Sequence, residues 1–369
     1  MTMLGLILAW FFAVLFGLLT VSMLLLNNWL QALVLFLVVL LLLPPVSSAL
    51  QNRLEWSIYP LLRFGLIAVL LFGFVRLLVG TKITSIYKSP QVKAQFMEIY
   101  NEKMKDWPVP YEDVYVDTQY GKVHVVVSGL PDAPAIFLLH ASGVSSWSWK
   151  YNVAELSQNY RTYAIDLIGD AGKSEFTSLE HIMKDGRDQA VLYTEIADKL
   201  GIEKAYVVGA SEGGFIGTNL ALHAPERVEK LALLGPMGYS GAFQSIIRIT
   251  FAQLFPLKPV QDSTFSWAFS NNSQLKEDFS EWFPLFMSGY NSVKVAPLPF
   301  SAQERQSLQV PVMFVFGERD NLVGDPQKAR SLVQDISDVR VEVVEAGHLM
   351  GAEKPEECSR LILDFFGSP

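Results

Sequence analysis

Hydrophobic and polar positions follow two regimes along the 369 residues. Up to about residue 80 the chain is almost uniformly apolar; beyond residue 110, short β-branched runs alternate with segments of helical period. Leu4 to Leu26 is 23 residues without a charge, enough to cross a bilayer core. Leu30 to Leu43 is too short to span unless it continues through Pro44-Pro45 towards Leu50, which leaves a kinked span and a re-entrant hairpin both open. Ile58 to Val79 is a third candidate, with Arg63 and Arg76 placed to snorkel to opposite interfaces, and Trp29, Trp56 and Tyr59 near the proposed ends. The expectation is a multi-pass membrane segment over residues 1–80 with about three transmembrane helices. No basic residue precedes the first run and no small-residue cleavage site follows it, so a removed signal peptide is not expected. With three spans, Arg76, Lys82, Lys88 and Lys93 share a side with the rest of the chain and Arg53 and Arg63 lie opposite, which favours a cytoplasmic placement of that remainder; two spans would change the argument.

Residues 81–110 read as a linker with an amphipathic helix. Ser89-Pro90 supplies an N-cap and a first helical position, Val92, Phe96, Ile99 and Tyr100 recur at helical spacing, and Trp107-Pro108-Val109-Pro110 stops the run. A packed flank of the following domain is the expected role. From there the pattern predicts strands at Val114 to Val116, Val123 to Val127, Ala135 to Leu139, Thr162 to Ile165, Lys204 to Val208, Leu231 to Leu234, Val312 to Phe316 and Val339 to Val344. Helices are expected over Arg187 to Leu200, Phe215 to Ala224 and about Pro355 to Phe366. Such alternation predicts an α/β fold: a mostly parallel sheet with helices on both faces, residues 111–239 giving its first part and 306–369 its second. Between them, residues 240–305 break the pattern with a concentration of Phe, Trp and Tyr punctuated by Pro256, Pro259 and Pro284, and read as a helical lid over the strand ends.

Composition narrows the functional classes. Only Arg53, Glu55, Arg63 and Arg76 carry charge in residues 1–80, so of the 29 Lys and Arg and 37 Asp and Glu, 26 and 36 fall in residues 81–369, a net charge of −10. An acidic domain of that kind argues against nucleic-acid binding. The single Cys358 excludes an intrachain disulfide and a cysteine-based metal cluster, and only five histidines (His124, His140, His181, His223, His348) are available as a base.

The chemistry concentrates at Tyr206-Val207-Val208-Gly209-Ala210-Ser211-Glu212-Gly213-Gly214, where a β-branched run enters a G-x-S-x-G turn and a helix leaves it. A sharp strand-to-helix turn lifts a serine hydroxyl clear of the sheet, and the helix N-terminus beneath it offers unpaired N–H groups. A serine nucleophile needs a base, and the base needs an orienting acid. The strand ending Gly317-Glu318-Arg319-Asp320 supplies carboxylates and the strand before Gly347-His348 supplies an imidazole, each at a C-terminal strand end where open α/β sheets bind ligands.

These segments resemble the α/β-hydrolase superfamily, in its lid-bearing esterase, lipase and peroxidase-like branch. The resemblance covers roughly residues 95–367 and rests on His140-Ala141-Ser142-Gly143, Asp166 through Gly169 to Ser174, the elbow at Ser211, and the paired Gly317-x-x-Asp320 and Gly347-His348 segments, in the family's order. It implies an eight-stranded, mostly parallel sheet. Ser211 would be the nucleophile, His348 the general base then acid, and Asp320, in competition with Glu318 and Asp325, the orienting carboxylate. The backbone N–H groups of Glu212 and Ser142 would form the oxyanion hole. Two departures stand out: Ala141 where the family has Gly, and Asp170 where it often has an aromatic or histidine. The Glu212 side chain is expected to face the surroundings of its helix, and His140 and Asp166 to be structural. The implied activity is hydrolysis of an apolar or amphiphilic ester by a membrane-anchored serine hydrolase through an acyl-enzyme, without metal or organic cofactor. Acyltransferase, thioesterase and peroxidase-like reactions on the same residues, and a non-catalytic membrane scaffold, are the alternatives. The partners this reading names are a small-molecule or lipid-like ester and the lipid bilayer.

Overall fold

The computed structural model describes residues 3–25, 29–43, 85–239, 257–268, 273–291, 293–323 and 326–367, together with Ile67, Leu70, Leu71, Arg248, Ile249 and Ala252. The chain divides into two compact units, Met1–Lys82 and Ile83–Pro369.

In the first unit, helices α1 (Met3–Leu25) and α2 (Trp29–Leu42) pack against each other and bury Ala13, Ala32, Leu35 and Val38. The expectation of a multi-pass membrane protein is corrected here. Among the described residues, no helix is long and apolar enough to cross a membrane. Helix α2 has 14 residues, about 21 Å at 1.5 Å per residue, against a hydrocarbon core of about 30 Å. The third proposed span, Ile58 to Val79, lies outside the described residues except for Ile67, Leu70 and Leu71. The cytoplasmic placement, which rested on counting charges on either side of those spans, goes with them.

In the second unit, α3 (Pro90–Met104) begins where Ser89 Oγ accepts the Val92 N–H at 3.2 Å. It buries Phe96, Tyr100 and Met104, as a packed flank does. One sheet follows: β1 (Tyr111–Asp117), β2 (Gly121–Ser128), β3 (Ala135–Leu139), β4 (Arg161–Ile165), β5 (Glu175–Phe176), β6 (Ala205–Ala210), β7 (Val228–Leu234), β8 (Val312–Gly317) and β9 (Val339–Val344). The order is β1-β2-β4-β3-β6-β7-β8-β9, with β5 paired to β2. Pairings among β1, β2, β4 and β5 that involve β2 are antiparallel; the run from β4 through β3, β6, β7 and β8 to β9 is parallel. The eight expected strands are present, and β5 adds a ninth of two residues, too short to carry a periodic signal.

The sheet is covered on both faces. Phe137, Leu139, Val207, Leu231, Leu233, Phe314 and Phe316 pack into one apolar core, and their neighbours Ile136, Leu138, Val208, Ala232, Leu234, Met313 and Val315 into the other. That is the period-2 alternation of a strand buried on both sides, and it explains why these strands read as continuous apolar runs. The end strands β1 and β9 are the more exposed ones. Helices α4 (Gly186–Lys199) and α5 (Glu212–His223) connect the central strands. The segment between β7 and β8 holds α6 (Lys258–Ala268), α7 (Ser273–Phe279) and α8 (Trp282–Gly289). Its Phe265, Phe279 and Trp282 are buried, whereas Phe243, Phe251, Phe255 and Phe269 lie outside the described residues. Helix α9 (Pro326–Val333) precedes β9, and α10 (Pro355–Gly367) closes the chain. Cys358 on α10 is fully buried, its Sγ 3.4 Å from the Met350 carbonyl oxygen, and burial pushes the thiol up to about 12.

Candidate active site

Ser211 sits between β6 and α5 with φ +50°, the one positive φ outside glycine among the described residues. This strain, of order 1–3 kcal/mol, persists because the surroundings fix it. The Ser211 N–H donates to Leu234 O at 2.9 Å, and the Met237 N–H donates to Ser211 O at 3.0 Å. Gly213 lies so close to the end of β3 that a Cβ there would overlap Leu139 O and approach His140 O. The same contact includes a Gly213 N–H to His140 O hydrogen bond at 3.1 Å, which ties the elbow helix to the loop carrying Ser142.

His348 follows β9 and Asp320 follows β8. His348 Nε2 lies 2.8 Å from Ser211 Oγ, and His348 Nδ1 lies 2.8 Å from Asp320 Oδ2. All three side chains are buried. Asp320 is held on its other oxygen by the N–H groups of Leu322 and Val323, at 2.8 and 3.0 Å. Glu318 is exposed, and Asp325 lies outside the described residues. The Glu353 carboxylate accepts the Gly347 N–H at 2.9 Å and so anchors the turn that carries the imidazole. The strand ends thus bring together a hydroxyl, an imidazole and a carboxylate from positions 211, 348 and 320.

The expected orientation of the Glu212 side chain is corrected. It is 4% exposed and forms an ion pair with Lys294, whose ammonium also lies 2.5 Å from Ser142 Oγ and 3.7 Å from Asp170 Oδ2. Burial and the nearby Asp170 push the Glu212 carboxyl up, and Lys294 opposes that shift. For Lys294 the balance is reversed: burial would lower its pKa, but Glu212, Tyr290 and Asp170 hold it above the usual lysine range. Asp170 accepts the Gly143 and Ala171 N–H groups at 2.8 and 2.7 Å, so the departure noted in the sequence is a scaffold for the loop after β3. Sequence reasoning missed Lys294. The available signal was a cation set directly between two valines, Val293 and Val295.

The remaining histidines have other partners. His140 Nε2 accepts the Leu167 N–H at 3.0 Å, which leaves Nδ1 to donate to Ala141 O at 2.8 Å. His124 is buried between Asp166, 2.9 Å from Nδ1, and Asp113, 2.6 Å from Nε2. Asp166 also accepts the N–H groups of Ser146 and Lys173, at 2.8 and 2.9 Å, so it ties three segments together. His181 and His223 are exposed.

With this geometry in place, known proteins supply a frame. Residues 136–361 match the alpha/beta hydrolase family profile. The carboxylesterase YbfK of Bacillus subtilis is 32% identical over 279 residues, covering 73% of this chain and 93% of that protein. A second B. subtilis protein, described as an uncharacterized carboxylesterase nap, is 30% identical over 283 residues, covering 74% of this chain and 93% of its own. The crystal structure of naproxen esterase from B. subtilis superposes with a TM-score of 0.71 at 29% identity, over 76% of this chain and all of that one.

Proposed function

The chain belongs to the alpha/beta hydrolase family, with carboxylesterase relatives that make it a hydrolase, and on that premise we propose that it cleaves carboxylic esters with Ser211 as nucleophile. The observation that carries this reading is the buried hydrogen-bonded series from Ser211 Oγ through His348 to Asp320, both links at 2.8 Å. His348 Nε2 takes the Ser211 proton as Oγ attacks the acyl carbon, and Asp320 holds Nδ1 protonated and stabilises the imidazolium. The ring then gives its proton to the departing alkoxide, and water activated by the same nitrogen releases the acid from the acyl-enzyme.

The oxyanion that forms at each stage is assigned to the backbone N–H groups of Glu212 and Ser142. Glu212 is the first residue of α5, so its N–H has no carbonyl four residues back within the helix. The Gly213 to His140 hydrogen bond keeps the Ser142 loop alongside it. Losing one such donor raises the barrier by roughly 3 kcal/mol in comparable sites. The helices between β7 and β8 serve as the lid; their Phe283 and Phe286 rings meet at a tilt, Phe286 lies against Gly143, and the pair suits an apolar substrate portion. A small-molecule ester with an apolar acyl or alcohol group is the proposed substrate.

The test combines labelling by a fluorophosphonate with hydrolysis of p-nitrophenyl esters. Ser211→Ala is expected to abolish labelling and to lower kcat/KM by about 10⁴-fold or more. Labelling and turnover that persist unchanged in that variant would rule the reading out.

A further inference from the structure

The insertion after β7 does more than cover the loop after β3; it holds that loop at three points. Trp282 Nε1 donates to Gly143 O at 2.7 Å. The Phe286 ring lies against Gly143 (φ +74°), so that any side chain there would overlap it. Lys294 Nζ donates to Ser142 Oγ at 2.5 Å. Lys294 is itself fixed in place. Its neighbours Val293 and Val295 are buried, the Val293 N–H reaches Gly169 O at 3.4 Å, and the ammonium is paired with Glu212 while Asp170 lies 3.7 Å away. Asp170 closes the ring from the opposite side through the Gly143 N–H. The two residues assigned as oxyanion donors therefore have their side chains joined to one cation contributed by the lid segment.

We propose that Lys294 is a positioning residue: by binding the side chains of Ser142 and Glu212 together, it sets the spacing of the two backbone N–H groups that receive the oxyanion. The proposal rests on the serine-hydrolase reading above and gives the lid a part in the rate of the chemical step. Its physical basis is that oxyanion stabilisation depends on donors fixed before charge develops, and a displacement of a fraction of an ångström weakens them. Neither the Ser142 nor the Glu212 side chain needs to touch substrate. A purely structural role, in which Lys294 only neutralises buried carboxylates, makes a different prediction: removing the Glu212 charge along with Lys294 would restore the enzyme.

The experiment compares Lys294→Met, Lys294→Met/Glu212→Gln and Ser142→Ala with the native enzyme, reading kcat, KM, inhibition by a trifluoromethyl ketone and thermal melting. Lys294→Met is expected to lose about 10²-fold in kcat and a similar factor in trifluoromethyl ketone affinity, with KM within about threefold. The double variant is expected to recover stability while keeping the kcat loss. Recovery of kcat to within about threefold of native in the double variant, or its retention in the single one, would overturn the proposal. If neither lysine variant folds, Ser142→Ala decides. It keeps the N–H and removes only the hydroxyl, and about tenfold lower kcat is expected; a change under twofold rejects the role. Ser211→Ala run in parallel separates the two claims, because hydrolysis surviving there fails the serine mechanism, whereas its loss beside an unaffected Lys294→Met fails only the positioning role.

Discussion

His348 and His124 are both buried, and each hydrogen-bonds a buried aspartate, at 2.8 and 2.9 Å respectively. Each also lies near a serine: Ser211 Oγ is 2.8 Å from His348 Nε2, while Ser146 Oγ is joined to the His124 group through Tyr100, whose hydroxyl is 2.7 Å from it. The difference is in the second ring nitrogen. In His348 it faces a hydroxyl on a strained turn, a partner whose proton it can take. In His124 it faces a second carboxylate, Asp113, at 2.6 Å, an acceptor that offers no hydroxyl proton for the ring to take. The same residue types build the proposed reactive centre in one place and a fastening between α3, β1, β2 and β4 in the other. Composition alone does not separate them; the identity of the group opposite Nε2 does.

Exchanging each ring for an amide breaks the comparison most directly. His348→Gln is expected to lower kcat/KM for an activated ester by about 10⁴-fold while leaving the melting temperature within a few degrees. His124→Gln is expected to do the reverse. Leaving the buried Asp166 carboxylate without its imidazole partner costs about 3 kcal/mol, a melting shift on the order of 10 °C for a domain of this size, with kcat per folded molecule unchanged. Calorimetry and active-site titration on the same preparations check both, and a large kcat loss in the His124 variant would erase the distinction.

Acid titration sharpens it. Burial alone would raise the Asp166 pKa, but the hydrogen bond and charge of His124, with His140 and the Ser146 N–H, hold it well below the usual carboxylate range. A carboxyl whose folded pKa is depressed contributes stability above its unfolded value near 4, and loses that contribution as pH falls towards the folded one. The native protein should therefore lose stability steeply below about pH 4, and Asp166→Asn, less stable at pH 7, should show a shallower decline. Parallel declines in a pH series of urea melts would contradict this assignment. The smallest effect is expected from Tyr100→Phe. Loss of its hydroxyl contact to Ser146 should cost about 1 kcal/mol in the same melts with no change in kcat.

Those residues also mark how far the sequence could be read. The β-branched runs of β3, β6, β7 and β8 are buried on both faces, so their hydrophobicity is continuous and visible without a structure. The elbow was legible because a serine in a G-x-S-x-G turn between a strand and a helix is a local pattern, and Asp320 and His348 because each lies in the turn after a strand, β8 and β9 respectively. Lys294 was not, since its partners Ser142, Asp170 and Glu212 come from two loops and a helix N-terminus far apart in the chain, and an ion pair has no period. The Glu212 side chain was assigned the wrong surroundings for the same reason. The membrane expectation rested on uniform hydrophobicity over residues 1–80, whereas among the described residues no helix is long and apolar enough to cross a membrane.

Cys358 has a practical consequence. It is the chain's single thiol, sealed inside α10 against Met350 O and, with its proton held to about 12, almost never present as the thiolate that reagents require. The native protein is therefore a silent background for maleimide chemistry. One cysteine introduced on the exposed side of α6 or α7 could carry a spin label or fluorophore alone, and any movement of those helices could be followed in real time without first removing anything from the native chain.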